Sequence, residues 1–313
     1  MRGRVVRVAL VGVVLAAAVL GAPPAMAESV QSARQTCTGN PDIPWDAQIK
    51  SCTTLIQSGA SGQNLAFDYY KRGIAYFNAG EFDRAIADND QALRLNARYA
   101  DALVNRGAAY ARKGQIDRAL QDYDQALRID AKDPFTYYNR GKAYFDKGQI
   151  DLAIQDYNLS LTLSPNNALA LLNRGVAYRH KGRYELAIQD FNLVIRLEGK
   201  YAAAYNNRCW ARALAGQFQD ALSDCDASLR LKPDDATAID GRGFTLLKLG
   251  QAERAITEYD AALQLNPRLA SALYGRGLAK TKKGDRAGGA ADMAAAKAIQ
   301  SDIAGEFARD GIK

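Results

Sequence analysis

The chain has 313 residues, with 41 Lys and Arg against 34 Asp and Glu and a formal net charge of +7. The basic residues are spread along the chain, mostly near acidic neighbours, which excludes a nucleic-acid polycation. There is one histidine, so no serine or cysteine has a histidine base at repeat-determined proximity, and histidine-based catalysis has little to work with.

Residues 1–27 read as a secretory signal peptide. Arg2, Arg4 and Arg7 form a basic start, Val8 to Leu20 is an apolar run, and Ala25-Met26-Ala27 is a small-x-small cleavage site. The run is short for a membrane span, so membrane insertion is not expected after cleavage behind Ala27. Removing those three arginines leaves a net charge of about +4 against the 34 acidic residues, a mildly basic chain.

Residues 28–65 come before the first full repeat. To about residue 44 they read as an exposed lead-in. From Trp45 to Ser58 the pattern is helical, with Ala47, Ile49, Cys52, Leu55 and Ile56 on one side, and predicts a capping helix. Length alone suggests roughly two domains, but a strict period of 34 residues overrides that prior. Gly73, Gly107, Gly141, Gly175, Gly243 and Gly277 stand in one column, interrupted only by Cys209. A second column runs Gly80, Gly114, Gly148, Gly182, Gly216, Gly250 and Gly284, and an alanine column runs Ala85, Ala119, Ala153, Ala187, Ala221 and Ala255 before loosening to Gly289.

In the stretch 134–167, Tyr137, Gly141 and Tyr144 lie four and three apart on one helix face, and Ala153, Tyr157 and Ser160 do the same on a second. Small residues at Gly141 and Ala153 let the two backbones approach, and Gly148 can turn the chain between them. One hairpin cannot bury both faces alone, so neighbours must stack. The units run 66–99, 100–133, 134–167, 168–201, 202–235, 236–269 and 270–303. The last is degraded at Gly288-Gly289 and Met293, and a closing segment follows at 304–313.

With Pro165, these columns resemble the tetratricopeptide repeat (TPR) family over residues 66–303. The resemblance implies an all-α solenoid, a right-handed superhelix of antiparallel helix pairs with seven full repeats. One departure recurs: the family's usual leucine before the first glycine is arginine here, at Arg72, Arg106, Arg140, Arg174, Arg208, Arg242 and Arg276. The runs CTTLI at 52–56, RCWARALA at 208–215, LYGRGLAK at 273–280 and IAGEFARDGI at 303–312 are similar to a group of exported bacterial TPR proteins. That likeness supports export and two cysteine pairs, and supplies no ligand.

Four cysteines allow three pairings, and Cys37–Cys52 with Cys209–Cys225 is expected, in keeping with an oxidising compartment. In the fifth unit the glycine column becomes Cys209 and the aromatic column Cys225. These columns face each other across the hairpin. Two buried free thiols are the alternative, and a metal site is not expected because a second ligand pair is lacking.

Sixteen residues after each arginine stands an acid: Asp88, Asp122, Asp156, Asp190, Asp224, Glu258 and Asp292. Seven ion pairs at the helix seam follow, each of modest net worth but costly to break. An arginine row for phosphates or acidic polysaccharide is the functional alternative. Asn105, Asn139, Asn173 and Asn207 form a further column, which fails at Lys71, Gly241 and Gly275. In the family the first helix of each unit lines a concave groove, and an asparagine there often bonds a peptide backbone. An amide, both donor and acceptor, suits that task. Bonding to the adjacent repeat is the competing role.

Phe67, Tyr70, Ile74 and Phe77, then Phe135, Tyr138, Lys142 and Phe145, then Trp210, Phe244 and Tyr274 supply aromatic content for the same face, unless they pack between repeats. Lys142, Arg179, His180 and Lys248 add positive charge, and His180 otherwise reads as an ordinary surface residue. Phosphate-binding glycine loops are missing, and no cofactor is expected. The sequence thus points to a non-catalytic module, periplasmic or secreted, that holds a protein or extended peptide in its groove and takes no nucleic acid. Scaffolding of an envelope polysaccharide or peptidoglycan machine is the alternative.

Overall fold

The computed structural model describes residues 24–59, 61–309 and 311. They form seventeen helices and, among the described residues, no strand: α1 (Pro24–Thr36), α2 (Trp45–Gln57), α3 (Gly62–Asn78), α4 (Phe82–Leu95), α5 (Ala100–Arg112), α6 (Ile116–Ile129), α7 (Pro134–Asp146), α8 (Ile150–Leu163), α9 (Ala168–His180), α10 (Tyr184–Leu197), α11 (Ala202–Leu214), α12 (Phe218–Leu231), α13 (Ala236–Lys248), α14 (Ala252–Leu265), α15 (Ala270–Lys282), α16 (Arg286–Ile299) and α17 (Ile303–Arg309). Helix α1 replaces the expected lead-in, and it starts ahead of the expected cleavage point. The rest of the signal segment, residues 1–23, lies outside the described residues. Among the described residues no helix is long and apolar enough to cross a membrane.

Local chemistry sets the helix ends. At the start of α7 the Asp133 carboxylate accepts from the backbone N–H groups of Phe135 and Thr136, and Pro134 occupies the first turn, where a missing N–H costs nothing. At its end Gly148 adopts φ 78°, and Gln149 N–H returns to the Tyr144 carbonyl at 2.8 Å. Every glycine of the second column has a positive φ, which explains why that column never varies.

The chain divides into two compact units at Ala109, inside α5. In the first, α1 and α2 form a hairpin joined by the Cys37–Cys52 disulfide, and α2 packs on α3. Gln48, fully buried, ties their loop together: its Nε2 donates to the Asn40 and Ile43 carbonyls, and its Oε1 accepts from Gly39 N–H. A hairpin thus stands ahead of α3, where a single helix is expected.

In the second unit, hairpins from α7/α8 to α15/α16 follow one another. Ala153, Ala187, Ala221 and Ala255 are completely buried, as are the facing Phe191 and Tyr259. A Cβ added to Gly175 would come within 2.6 Å of the Phe191 ring, so the small residue is a packing requirement. In the last hairpin the glycines that look like degradation allow an even closer approach, because a Cβ on Gly277 would meet the Gly289 carbonyl at 2.7 Å. Neighbouring odd-numbered helices touch each other from α7 to α15, and neighbouring even-numbered ones do not. The odd-numbered helices therefore form the tighter, inner face of this unit.

In the fifth repeat a disulfide joins Cys209 and Cys225, both fully buried. It stands where Gly141 meets Tyr157 two repeats earlier. Replacing both cysteines by serine is expected to cost roughly 3 kcal/mol for a loop of this length. Cys209→Gly with Cys225→Tyr, which restores the glycine–aromatic contact, is expected to recover much of that. Urea titration followed by circular dichroism checks both values.

The arginines are clamped from two sides. Arg140 meets Asp156 through Nε and Nη2, both at 2.8 Å, and its Nη1 reaches back 2.7 Å to Asp124 of the preceding repeat. The same geometry holds Arg174 between Asp190 and Asn158, Arg208 between Asp224 and Asn192, and Arg276 between Asp292 and Asp260. Arg242 donates one bond each to Glu258 and Asp226. In the first unit Arg72 pairs with Asp88 and Thr53, and Arg106 with Asp90. These bonds join each hairpin to itself and to its neighbour. The guanidinium groups are thus spent inside the stack and do not form an open row for anions.

Candidate binding groove

The inner face of the second unit carries the asparagine column on α7, α9 and α11. Asn139, Asn173 and Asn207 are half-buried. Asn173 donates through Nδ2 to the Leu169 carbonyl of its own helix at 2.8 Å and to the Tyr138 hydroxyl at 3.4 Å. Asn207 donates to the Ala203 carbonyl at 2.8 Å. Both amide N–H groups of Asn173 are engaged, which leaves its Oδ1 acceptor, whereas Asn207 spends one N–H within its own helix. Asn105 lies in the first unit, where it closes on Gly73.

The column stops at Gly241 and Gly275 for a steric reason. A Cβ on Gly241 would lie 2.7 Å from Trp210 Nε1, and one on Gly275 would collide with the Tyr259 hydroxyl. Aromatic side chains of the preceding hairpins occupy the room an asparagine would need.

The aromatic residues divide into two sets. Phe135 is 65% exposed and Leu169 is 49% exposed, at the same repeat position on adjacent inner helices. Phe67 holds the corresponding position in the first unit and is also exposed. Tyr138 is half-buried, packed against Tyr157 and the α9 core. Further along, Phe244 is fully buried, which corrects its expected place on an open lining. Its ring contacts Trp210 at 4.9 Å and Phe307 of α17 at 5.9 Å, and Phe307 also meets Tyr274 at 4.9 Å. By the 34-residue register Phe307 would open an eighth repeat. The chain instead turns it back onto α13 and α15.

The charges are partly committed. Lys142 pairs with Asp146 at 2.7 Å, and Lys248 donates to the Gly311 carbonyl at 3.4 Å. Arg179 and His180 border a cavity of about 520 Å³ together with Lys181, Tyr184, Leu214, Glu306 and Arg309. His180 is exposed, as expected of a surface residue, and stands edge-on to Phe145 with 5.2 Å between rings. Partial desolvation, with Arg179 beside it, holds its imidazole below the usual histidine range.

One buried carboxyl was missed by the sequence. Asp240 on α13 is almost wholly enclosed. Its Oδ2 accepts from Ser271 Oγ at 2.5 Å, and its Oδ1 has no partner. The Tyr259 hydroxyl nearby is likewise buried without a partner. Burial lifts the Asp240 carboxyl to about 7. Nothing in the repeat pattern marks the position, because Asp240 occupies a column that varies freely.

Family comparison agrees with this geometry. A model described as TPR repeat matches residues 73–114, 109–148, 141–179 and 243–284, and one described as tetratricopeptide repeat matches 168–201. The chain belongs to the tetratricopeptide repeat family. Among solved structures, a TPR protein from Parabacteroides merdae ATCC 43184 is 22% identical with a TM-score of 0.65, over 76% of this chain and 95% of that one. PilW, described as a widely conserved type IV pilus biogenesis factor, is 20% identical with a TM-score of 0.60, over 66% and 94%. YrrB, described as a TPR protein with an unusual peptide-binding site, is 23% identical with a TM-score of 0.51, over 61% and 97%. At these identities the likeness is one of fold. No curated protein matches the TPR chain.

Proposed function

We propose that the inner face of the second unit binds an extended protein segment, without catalysis, outside the cytoplasm. The observation that carries this reading is the position of the exposed apolar side chains. On the inner helices of this unit they are Phe135 and Leu169, at one repeat position, and they flank Asn139 and Asn173. Two apolar contacts one repeat apart, bordered by amide acceptors, suit a chain that alternates side chains and backbone N–H groups. YrrB, described by its peptide-binding site, uses a related fold. The expected signal segment and two disulfides support a location in the envelope or beyond. All four cysteines are bonded and the one histidine has no nucleophile assigned to it, which favours binding over chemistry.

A second reading has its own observation. Leu152, Leu159 and Leu163 on α8 and Leu186 and Leu197 on α10 are exposed on the outer helices, and contact through that side suits a scaffold. A photo-crosslinking residue placed at Phe135, or separately at Leu159, separates the two in living cells. Protein adducts at position 135 and few at 159 are the expected result. Adducts at 159 alone would replace the groove reading with the scaffold reading.

A further inference from the structure

Helix α17 covers part of the face just described. It has seven residues, too few to be stable alone, and is joined to α16 by a three-residue turn, 300–302. Ile303 and Phe307, four apart, are its two buried residues. Phe307 sits against Phe244 and Tyr274 on the inner helices α13 and α15. Ile303 and Phe307 both join the buried cluster that includes Phe244, Leu273, Ala279 and Ala296, and Lys248 adds a bond to the Gly311 carbonyl. The other flank, Glu306 and Arg309, walls the 520 Å³ cavity, so α17 spans open space there and does not fill it. The buried cluster thus behaves as a socket holding two side chains, Ile303 and Phe307, of a marginal helix.

We propose that α17 is a resident, displaceable ligand, and that the surface beneath it is a second peptide site for a segment carrying an aliphatic residue and a phenylalanine four positions apart. The proposal rests on the inner face being a binding face, and it adds a distinct site and its regulation to that reading. The socket supplies two aromatic walls, Phe244 and Tyr274, suited to the edge and face of an incoming ring. Lys248 offers a donor to a backbone carbonyl just past the incoming helix, as it now does for Gly311. An incoming segment must compete with α17, so its apparent affinity is reduced by the fraction of chains in which α17 is seated.

The test uses the full mature chain and a fluorescent peptide with the sequence of residues 301–311, followed by anisotropy. Phe307→Ala is expected to bind the peptide at least about tenfold more tightly than the wild type, because the resident competitor is weakened. The same peptide with Phe307→Ala is expected to bind neither protein. Asn139→Ala with Asn173→Ala and Asn207→Ala leaves this binding unchanged, which separates failure here from failure of the groove reading. Equal affinity of wild type and Phe307→Ala would overturn the proposal. Hydrogen exchange in the unaltered chain gives an independent readout should Phe307→Ala not fold. The α17 amides are expected to exchange at least about 100-fold faster than those of α15 through local opening. Equal protection would make α17 part of the cooperative core and overturn the proposal.

Discussion

Arg140→Leu is expected to lower the unfolding free energy by about 3–5 kcal/mol, because it strands an enclosed carboxylate. The Asp156 side chain is only 4% exposed and takes both its charged bonds from Arg140. The same change also frees Asp124 of the preceding repeat, so two hairpins lose their tie. Arg140→Leu combined with Asp156→Tyr removes the stranded charge and is expected to recover most of the loss. Urea unfolding by circular dichroism measures both variants. A neutral single change, or a double change no better than the single one, would mean that the pair does not hold the seam.

The second large effect is one of pH. Burial raises the Asp240 carboxyl to about 7 against an ordinary 3.8. Between those values the folded chain keeps a proton that the unfolded chain has lost. Stability therefore falls as pH rises through this window and levels off above about 7. A shift of about three pH units corresponds to roughly 4 kcal/mol. Asp240→Asn keeps an acceptor for Ser271 and removes the titration. It is expected to be more stable than the wild type at pH 8, with the difference vanishing near pH 4. Thermal melts at the two values decide the matter. Equal differences at both would show that Asp240 is not buried as a proton-binding group.

Most of the fold was legible because a period of 34 residues repeats each packing demand seven times. Gly148 turns, Gly141 admits Tyr157, and Arg140 finds Asp156, and each of these contacts recurs in its own column. A further column, Asp90, Asp124, Asn158, Asn192, Asp226 and Asp260, stands sixteen residues before the arginines. It could have revealed the second half of each clamp.

What the period could not carry was what happens once. Helix α1 has too few repeat landmarks to be distinguished from a lead-in. Phe307 keeps the register of an aromatic column, yet it folds back onto Phe244 and Tyr274 of the preceding inner helices. The groove residues were half legible. Their columns placed them on the inner helices, but only packing shows that Phe244 is closed and Phe135 open.

The central claim is that the inner face grips an extended segment through its asparagines and exposed apolar pair. Peptides selected on the mature chain from a random library, measured by calorimetry against wild type and against the Asn139→Ala, Asn173→Ala and Asn207→Ala triple variant, test it most directly. Losing two or three hydrogen bonds of about 1 kcal/mol each should weaken binding at least about tenfold, while the fold stays intact. Unchanged affinity in a folded triple variant would contradict the claim.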